Sequence, residues 1–158
     1  MRSFLRLIWC VVLAGVASAQ DKVVASAVAH ARAQFAFSDY RGDLRDLPIG
    51  VFDSGIGGLT VLEALLKLDA FHNDTLQPGA DGVPDFAQER FIYFGDQANM
   101  PYGNYSAVNR TDYLRELIVK DAVFLLGRRA WPAKGGEPKY DKPPVKAIVI
   151  ACNTATAY

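Results

Sequence analysis

The chain of 158 residues is 51% hydrophobic and 22% charged, enough apolar material for one globular domain and not comfortably two. Its 17 basic and 17 acidic residues cancel. That balance excludes the basic excess of a nucleic-acid binder and leaves no polybasic tract for docking on anionic lipid.

The N-terminus reads as an export signal. Arg2 and Arg6 give a positive start, Leu7 to Val16 an apolar run, and Ala17-Ser18-Ala19 a cleavage site of the A-x-A type. The run falls short of the roughly twenty apolar residues that a membrane span requires, so a removable signal over residues 1–19 is expected rather than a stable anchor. An exported, periplasmic protein follows. Cleavage after Ala19 would remove Cys10 and leave Cys152 as the mature chain's cysteine, unpaired in what is expected to be an oxidising compartment. Residues 20–47 are polar and alanine-rich, with a possible short helix over Ser26 to Phe37, and read as a linker or N-terminal extension.

From Pro48 the pattern becomes regular. Ile49-Gly50-Val51-Phe52 is a buried-type strand, followed by the glycine turn Asp53-Ser54-Gly55-Ile56-Gly57-Gly58. Leucines then recur at helical spacing from about Gly58 to Leu68. Phe71 to Glu89 is rich in Gly, Pro, Asp and Asn and reads as a surface loop. Phe91-Ile92-Tyr93-Phe94 is a second strand, and Asn99 to Tyr105 an irregular loop. One long helix is expected from Ser106 to about Gly127, with Ser106 or Thr111 as its N-cap. A proline- and glycine-rich loop over Ala130 to Pro144 leads to the strand Val145 to Ala151 and then to Cys152-Asn153-Thr154.

Strands alternating with helices predict an α/β fold, a three-layer, doubly wound parallel sheet with right-handed crossovers. Ligands in such sheets lie beyond the carboxyl ends of the strands. The Asp53-Ser54-Gly55 turn, the Pro101-Tyr102-Gly103 turn and Cys152-Asn153-Thr154 all follow strands, so the topology brings them to one edge.

Each motif alone is weak. The glycine turn is expected to supply positive φ and close backbone approach, with free N–H groups for an anion. It is neither a dinucleotide fingerprint, since Thr60 stands where the third glycine belongs, nor a P-loop. Taken alone it fits a structural turn equally well. Cys152, between a strand and a helix start, suits an activated thiolate, but an inert buried cysteine is the commoner case. Tyr102 alone is an aromatic residue in a turn. His30 and His72 have no partners at metal-ligand spacing.

Together the motifs resemble the aspartate/glutamate racemase family, and glutamate racemase most closely. The resemblance rests on Ile49 to Leu62, on Phe91 to Asp96 with Pro101 to Asn104, and on Val145 to Ala155. It covers residues 48–158, apart from two loops that look longer than usual. It implies an isomerase that interconverts L- and D-glutamate without pyridoxal phosphate or metal, using two cysteines on opposite faces of the substrate, and that supplies D-glutamate to peptidoglycan and so to cell shape. Carried over by motif, Cys152 is one base of the pair, and Asp53 is catalytic beside it. Asp53, Ser54, Tyr102, Gly103, Asn153 and Thr154 contact the amino acid.

Two departures accompany the resemblance. A second cysteine, expected in a Cys-Thr-His-Tyr-type motif of a second half-domain, does not occur before Tyr158. The export signal is foreign to a family that normally works in the cytoplasm. The sequence therefore reads as the incomplete first half-domain of a two-domain racemase fold, inactive alone, with an open sheet edge that favours homodimerisation. An aspartate racemase and an exported, non-catalytic amino-acid-binding module are the alternatives.

Overall fold

The computed structural model describes residues 25–27, 29, 35–133 and 135–158. The expected signal peptide and much of the expected linker lie outside the described residues.

Three parallel strands form the sheet: β1 (Ile49–Asp53), β2 (Phe91–Gly95) and β3 (Ala147–Ile150). Their order is β2-β1-β3. Ile49 pairs with both Phe91 and Ala147, and Phe52 with both Phe94 and Ile150. The helices are α1 (Leu59–Lys67), α2 (Gly103–Ala107), α3 (Thr111–Leu126) and α4 (Asn153–Ala157). The fold is thus α/β, as the alternating pattern predicts.

The central strand explains why its sequence is an unbroken apolar run. All five residues of β1 are buried, because a parallel strand between two neighbours is covered on both faces. Side chains alternate between those faces. Phe52 points into the main core with Leu114, Leu117 and Leu125 of α3 and with Val145. Gly50 lies on that same side. A Cβ there would stand 3.2 Å from both Leu125 and Val145, so the glycine lets α3 approach. On the opposite face, the start of α1 lies over Asp53 and Ala151, which a Cβ on Gly58 would meet at 2.8 Å.

The expected single helix over Ser106 to Gly127 is two helices. The chain breaks at Val108-Asn109-Arg110, where Asn109 takes φ 55°, a left-handed conformation that asparagine tolerates better than most residues. α2 also occupies the end of the segment expected to be an irregular loop. Neither Ser106 nor Thr111 caps α3, since its N-cap is Arg110, without a side-chain bond. At the other end the Lys142 ammonium donates to the Leu125 carbonyl at 3.0 Å and lies 5.2 Å from the Phe124 ring centroid. That carbonyl also accepts the Val145 N–H at 3.2 Å, and a cation beside it is favourable at the negative end of the helix. Burial, and then the Arg128 charge, push the Lys142 ammonium down to about 8.

The loop from Asp69 to Glu89 is held by carboxylates. Asp69 accepts the N–H groups of Asp81 and Gly82, Asp81 those of Asn73 and Val83, and Asp85 those of Ala70 and Phe71. Local side-chain acceptors of this kind replace the ladder bonds a loop lacks.

The described part of the expected linker packs on the domain. After the short 3-10 helix Phe37–Tyr40, the Tyr40 hydroxyl reaches the carbonyls of Leu126 at 2.8 Å and Val145 at 3.1 Å. Asp39 pairs with Arg128. Burial, then the Asp39 charge, raise the Tyr40 phenol to about 12. Tyr40→Phe is expected to cost about 1 kcal/mol, the net worth of one such bond, read as a lower urea midpoint at unchanged slope. An unchanged midpoint would show that the Tyr40 hydroxyl contributes nothing to stability.

Candidate active site

An open cleft of about 500 Å³ lies beyond the carboxyl ends of the strands. Its walls come from the segments that follow them: Asp53 to Gly58 after β1, Met100 and Pro101 after β2, and Ala151 to Thr154 after β3. Of the residues predicted from sequence, Asp53, Ser54, Cys152, Asn153 and Thr154 line it.

Cys152 is buried and caps the N-terminus of α4. Its Sγ lies 3.4 Å from the Ser54 hydroxyl, and the Ala155 N–H donates to it at 3.4 Å. As a thiol, Cys152 donates to Ser54. As a thiolate it accepts from the serine hydroxyl, which rotates to suit, and from the backbone N–H.

The glycine turn works differently from its sequence expectation. None of Gly55, Gly57 and Gly58 has positive φ; among the described residues the positive-φ glycines are Gly42, Gly79, Gly82 and Gly135. What the turn needs is space. Gly58 has no room for a Cβ between Asp53 and Ala151. The Asp53 carboxylate accepts the Gly58 N–H at 2.9 Å and the Tyr93 hydroxyl at 3.3 Å. The same hydroxyl lies 2.9 Å from the Gly55 carbonyl, so its one proton is shared between the two acceptors, the carbonyl being the nearer. Burial, and then the Asp53 charge, raise the Tyr93 phenol, which keeps it a donor. Asp53 thus closes the turn that carries Ser54 to the thiol.

Tyr102 lies elsewhere than its motif suggests. The ring is buried behind the cleft wall, packed 6.2 Å from Phe52, and its hydroxyl binds Asp96 and Asp121 rather than facing the cleft. The wall itself is made by the preceding residue, Pro101. Gly103, although not a lining residue, is exposed close to Thr154, whose Oγ1 lies 3.9 Å from where a Cβ on Gly103 would stand. Sequence reasoning missed Asp96, Asp121 and Tyr93. All three are polar groups that hold the cleft segments from behind.

Among the described residues, no group of three or more His, Cys, Asp and Glu is placed to hold a metal ion. No described helix is long and apolar enough to cross a membrane. His72 lies in the exposed loop, with Nδ1 3.6 Å from Asp81.

Comparison with known proteins agrees with the motifs. The glutamate racemase of Clostridium novyi is 37% identical over 115 residues, 73% of this chain and 30% of that protein. That of Chlorobaculum tepidum is 38% identical over 112 residues, 71% of this chain and 28% of its own length. That of Thermus thermophilus is 37% identical over 110 residues, 70% of this chain and 29% of its own length. The chain therefore spans less than a third of the curated relatives it matches. No protein-family model matches it, and no solved structure does so significantly. Some 70% to 73% of this chain is thus related in sequence to a part of the glutamate racemases.

Proposed function

We propose that this chain is the part of a cofactor-independent glutamate racemase that presents one of two catalytic thiols to one face of the substrate. One observation carries the reading: Cys152 sits at the cleft, its Sγ 3.4 Å from the Ser54 hydroxyl and within reach of the Ala155 N–H at the start of α4.

Inversion at the α-carbon needs a base on one face and an acid on the other. In this reading Cys152 takes or returns the proton on its own face. Ser54, Asn153 and Thr154 bind the amino and carboxylate groups of glutamate at the strand ends, and donors held in place there stabilise the carbanion-like charge. Asp53 sets the turn and places its carboxylate at the cleft. Gly103 supports the wall facing Thr154. The opposite thiol belongs to a second half-domain, so this chain alone does not racemise. The complete enzyme would supply D-glutamate to peptidoglycan, and residues 1–19 would direct the protein out of the cytoplasm to the periplasm.

The sheet edge fits a homodimer. Ile150 of β3 is 40% exposed, on a strand that among the described residues is paired on one side only. An uncovered edge of that kind favours pairing with a second copy. Sedimentation of the full chain is expected to show a dimer, and a monomer at every concentration would end this part of the reading.

The chemistry is tested by following the α-proton of L- and D-glutamate in deuterated water. A single base gives exchange with retention. The expected result is therefore no inversion, with exchange confined to one enantiomer and lost in Cys152→Ser. Equal exchange in the two proteins would remove Cys152 from the chemistry. Saturable glutamate binding without exchange in the unsubstituted chain would replace the reading with that of a binding module.

A further inference from the structure

We infer that Asp121, in the middle of α3, is held as a neutral acid and is a positioning residue for the cleft: it donates a proton to the Tyr102 phenol oxygen while the phenol donates to Asp96. The inference does not depend on the racemase reading.

The argument is a proton count. The Tyr102 oxygen lies 2.6 Å from Asp121 Oδ2 and 2.7 Å from Asp96 Oδ2. A phenol has one proton to donate, and an ionised carboxylate has none. With both carboxylates ionised, one of these short oxygen–oxygen contacts would hold no proton. A second proton must therefore reside on one of the two acids.

The surroundings say which. Both Asp96 oxygens lie 2.9 Å from the Asn99 amide nitrogen, which donates to them, so Asp96 has a donor of its own besides the phenol. Asp121 has no such donor among the described residues apart from Tyr102. It is only 8% exposed and stands in the buried stripe of α3 with Leu114, Leu117 and Leu125. The charged and titratable groups around it are Asp96 and Tyr102 from the segments packed against α3, and Lys120 from its own helix, whose ammonium is paired with Glu116. Burial is the main cause that raises the Asp121 acid to about 7, with the Asp96 charge adding to it and Tyr102 and Lys120 opposing.

The consequence reaches the cleft through the chain. Tyr102 joins Pro101, which lines the cleft, to Gly103, which stands beside Thr154. A phenol fixed at its oxygen fixes both neighbours. When Asp121 ionises, two negative carboxylates face one phenol oxygen, and the anchor weakens. Because the acid is raised in the folded state, its contribution to stability is complete below the ordinary aspartate range, about 4. It declines as pH rises and is lost once pH passes about 7.

The test is carbon NMR of the full chain with labelled aspartate carboxyls, alongside thermal unfolding between pH 4 and pH 8. One carboxyl is expected to titrate near neutrality, and the amides of Met100 and Gly103 are expected to shift with the same midpoint. The near-neutral signal should vanish in Asp121→Asn, whose amide N–H replaces the acid proton, and the melting temperature of this variant should gain on the parent as pH rises from 4 to 7. In Asp96→Asn, the phenol proton becomes available to Asp121, and the near-neutral signal should move to lower pH. If every carboxyl titrates in its ordinary range, the inference fails. It also fails if the signal survives in Asp121→Asn, or if Met100 and Gly103 do not follow it. Should Asp121→Asn not fold, the parent titration and the Asp96→Asn shift decide the matter.

Discussion

A Gly95→Ala chain is expected to lose about 3 kcal/mol of stability, at the upper end of what overpacking usually costs. Gly95 ends β2 and pairs with Asp53, the last residue of β1. A Cβ at this position would stand 2.3 Å from the Gly55 carbonyl oxygen and 3.4 Å from the Tyr93 ring. No side-chain rotation relieves the first contact, because the obstacle is backbone. That carbonyl is itself held by the Tyr93 hydroxyl, and the Asp96 N–H donates to the Asp53 carbonyl just beyond. The strands must part, or the Asp53-to-Gly58 turn must swing into the cleft. Against a total stability of about 5 to 15 kcal/mol, a loss of this size is large and would lower the melting temperature by about 10 °C. Gly55→Ala is the control. Its Cβ would meet only the Met100 side chain, Sδ at 3.6 Å and Cε at 3.8 Å, ordinary contacts with a flexible side chain, so its cost should stay below about 1 kcal/mol. Urea unfolding of the two variants with equal midpoints would sink the argument.

The strands were the legible part of the fold, for a physical reason. The central strand, Ile49 to Phe52, is covered on both faces and needs a continuous apolar run, and the half-buried flanking strands Phe91 to Phe94 and Ala147 to Ile150 are apolar runs as well. Their place in chain order then brings the Asp53, Pro101 and Cys152 segments to one edge. The break between α2 and α3 was harder to see, because the apolar spacing runs on across it; the one local sign is Asn109, a residue suited to the left-handed turn it makes. The glycine turn was found for a reason that proved incomplete. Positive φ is a local property, whereas the need for glycine at Gly58 comes from close packing against Asp53 and against Ala151, the latter distant in sequence. Asp121 did leave a sign. Leu114, Leu117, Asp121 and Leu125 fall at helical spacing, so a carboxylate stands in the buried stripe. A charge at such a position demands a partner. That the partner is Tyr102, itself held by Asp96, depends on tertiary packing that periodicity does not contain.

Asp53 combines a structural task with a proposed chemical one, and two substitutions separate them. The carboxylate is buried, and its Oδ2 accepts from Gly58 N–H and the Tyr93 hydroxyl. Asp53→Ala removes that acceptor. The Tyr93 hydroxyl retains the Gly55 carbonyl, but the Gly58 N–H is stranded at the start of α1, at a cost of about 1 to 3 kcal/mol. Asp53→Asn keeps an oxygen of the same reach and loses only the charge. The turn should persist, with stability within about 1 kcal/mol of the parent, since a neutral acceptor replaces a charged one. The fold alone therefore predicts that Asn is tolerated and Ala is not. A catalytic role for the Asp53 charge predicts more: in the deuterium assay both variants lose α-proton exchange, although the Asn variant is folded and retains the Cys152–Ser54 contact. Exchange that survives in Asp53→Asn would confine Asp53 to building the turn and leave the proton chemistry on this face to Cys152. Exchange lost in Asp53→Asn at parental stability would make the carboxylate charge part of that chemistry.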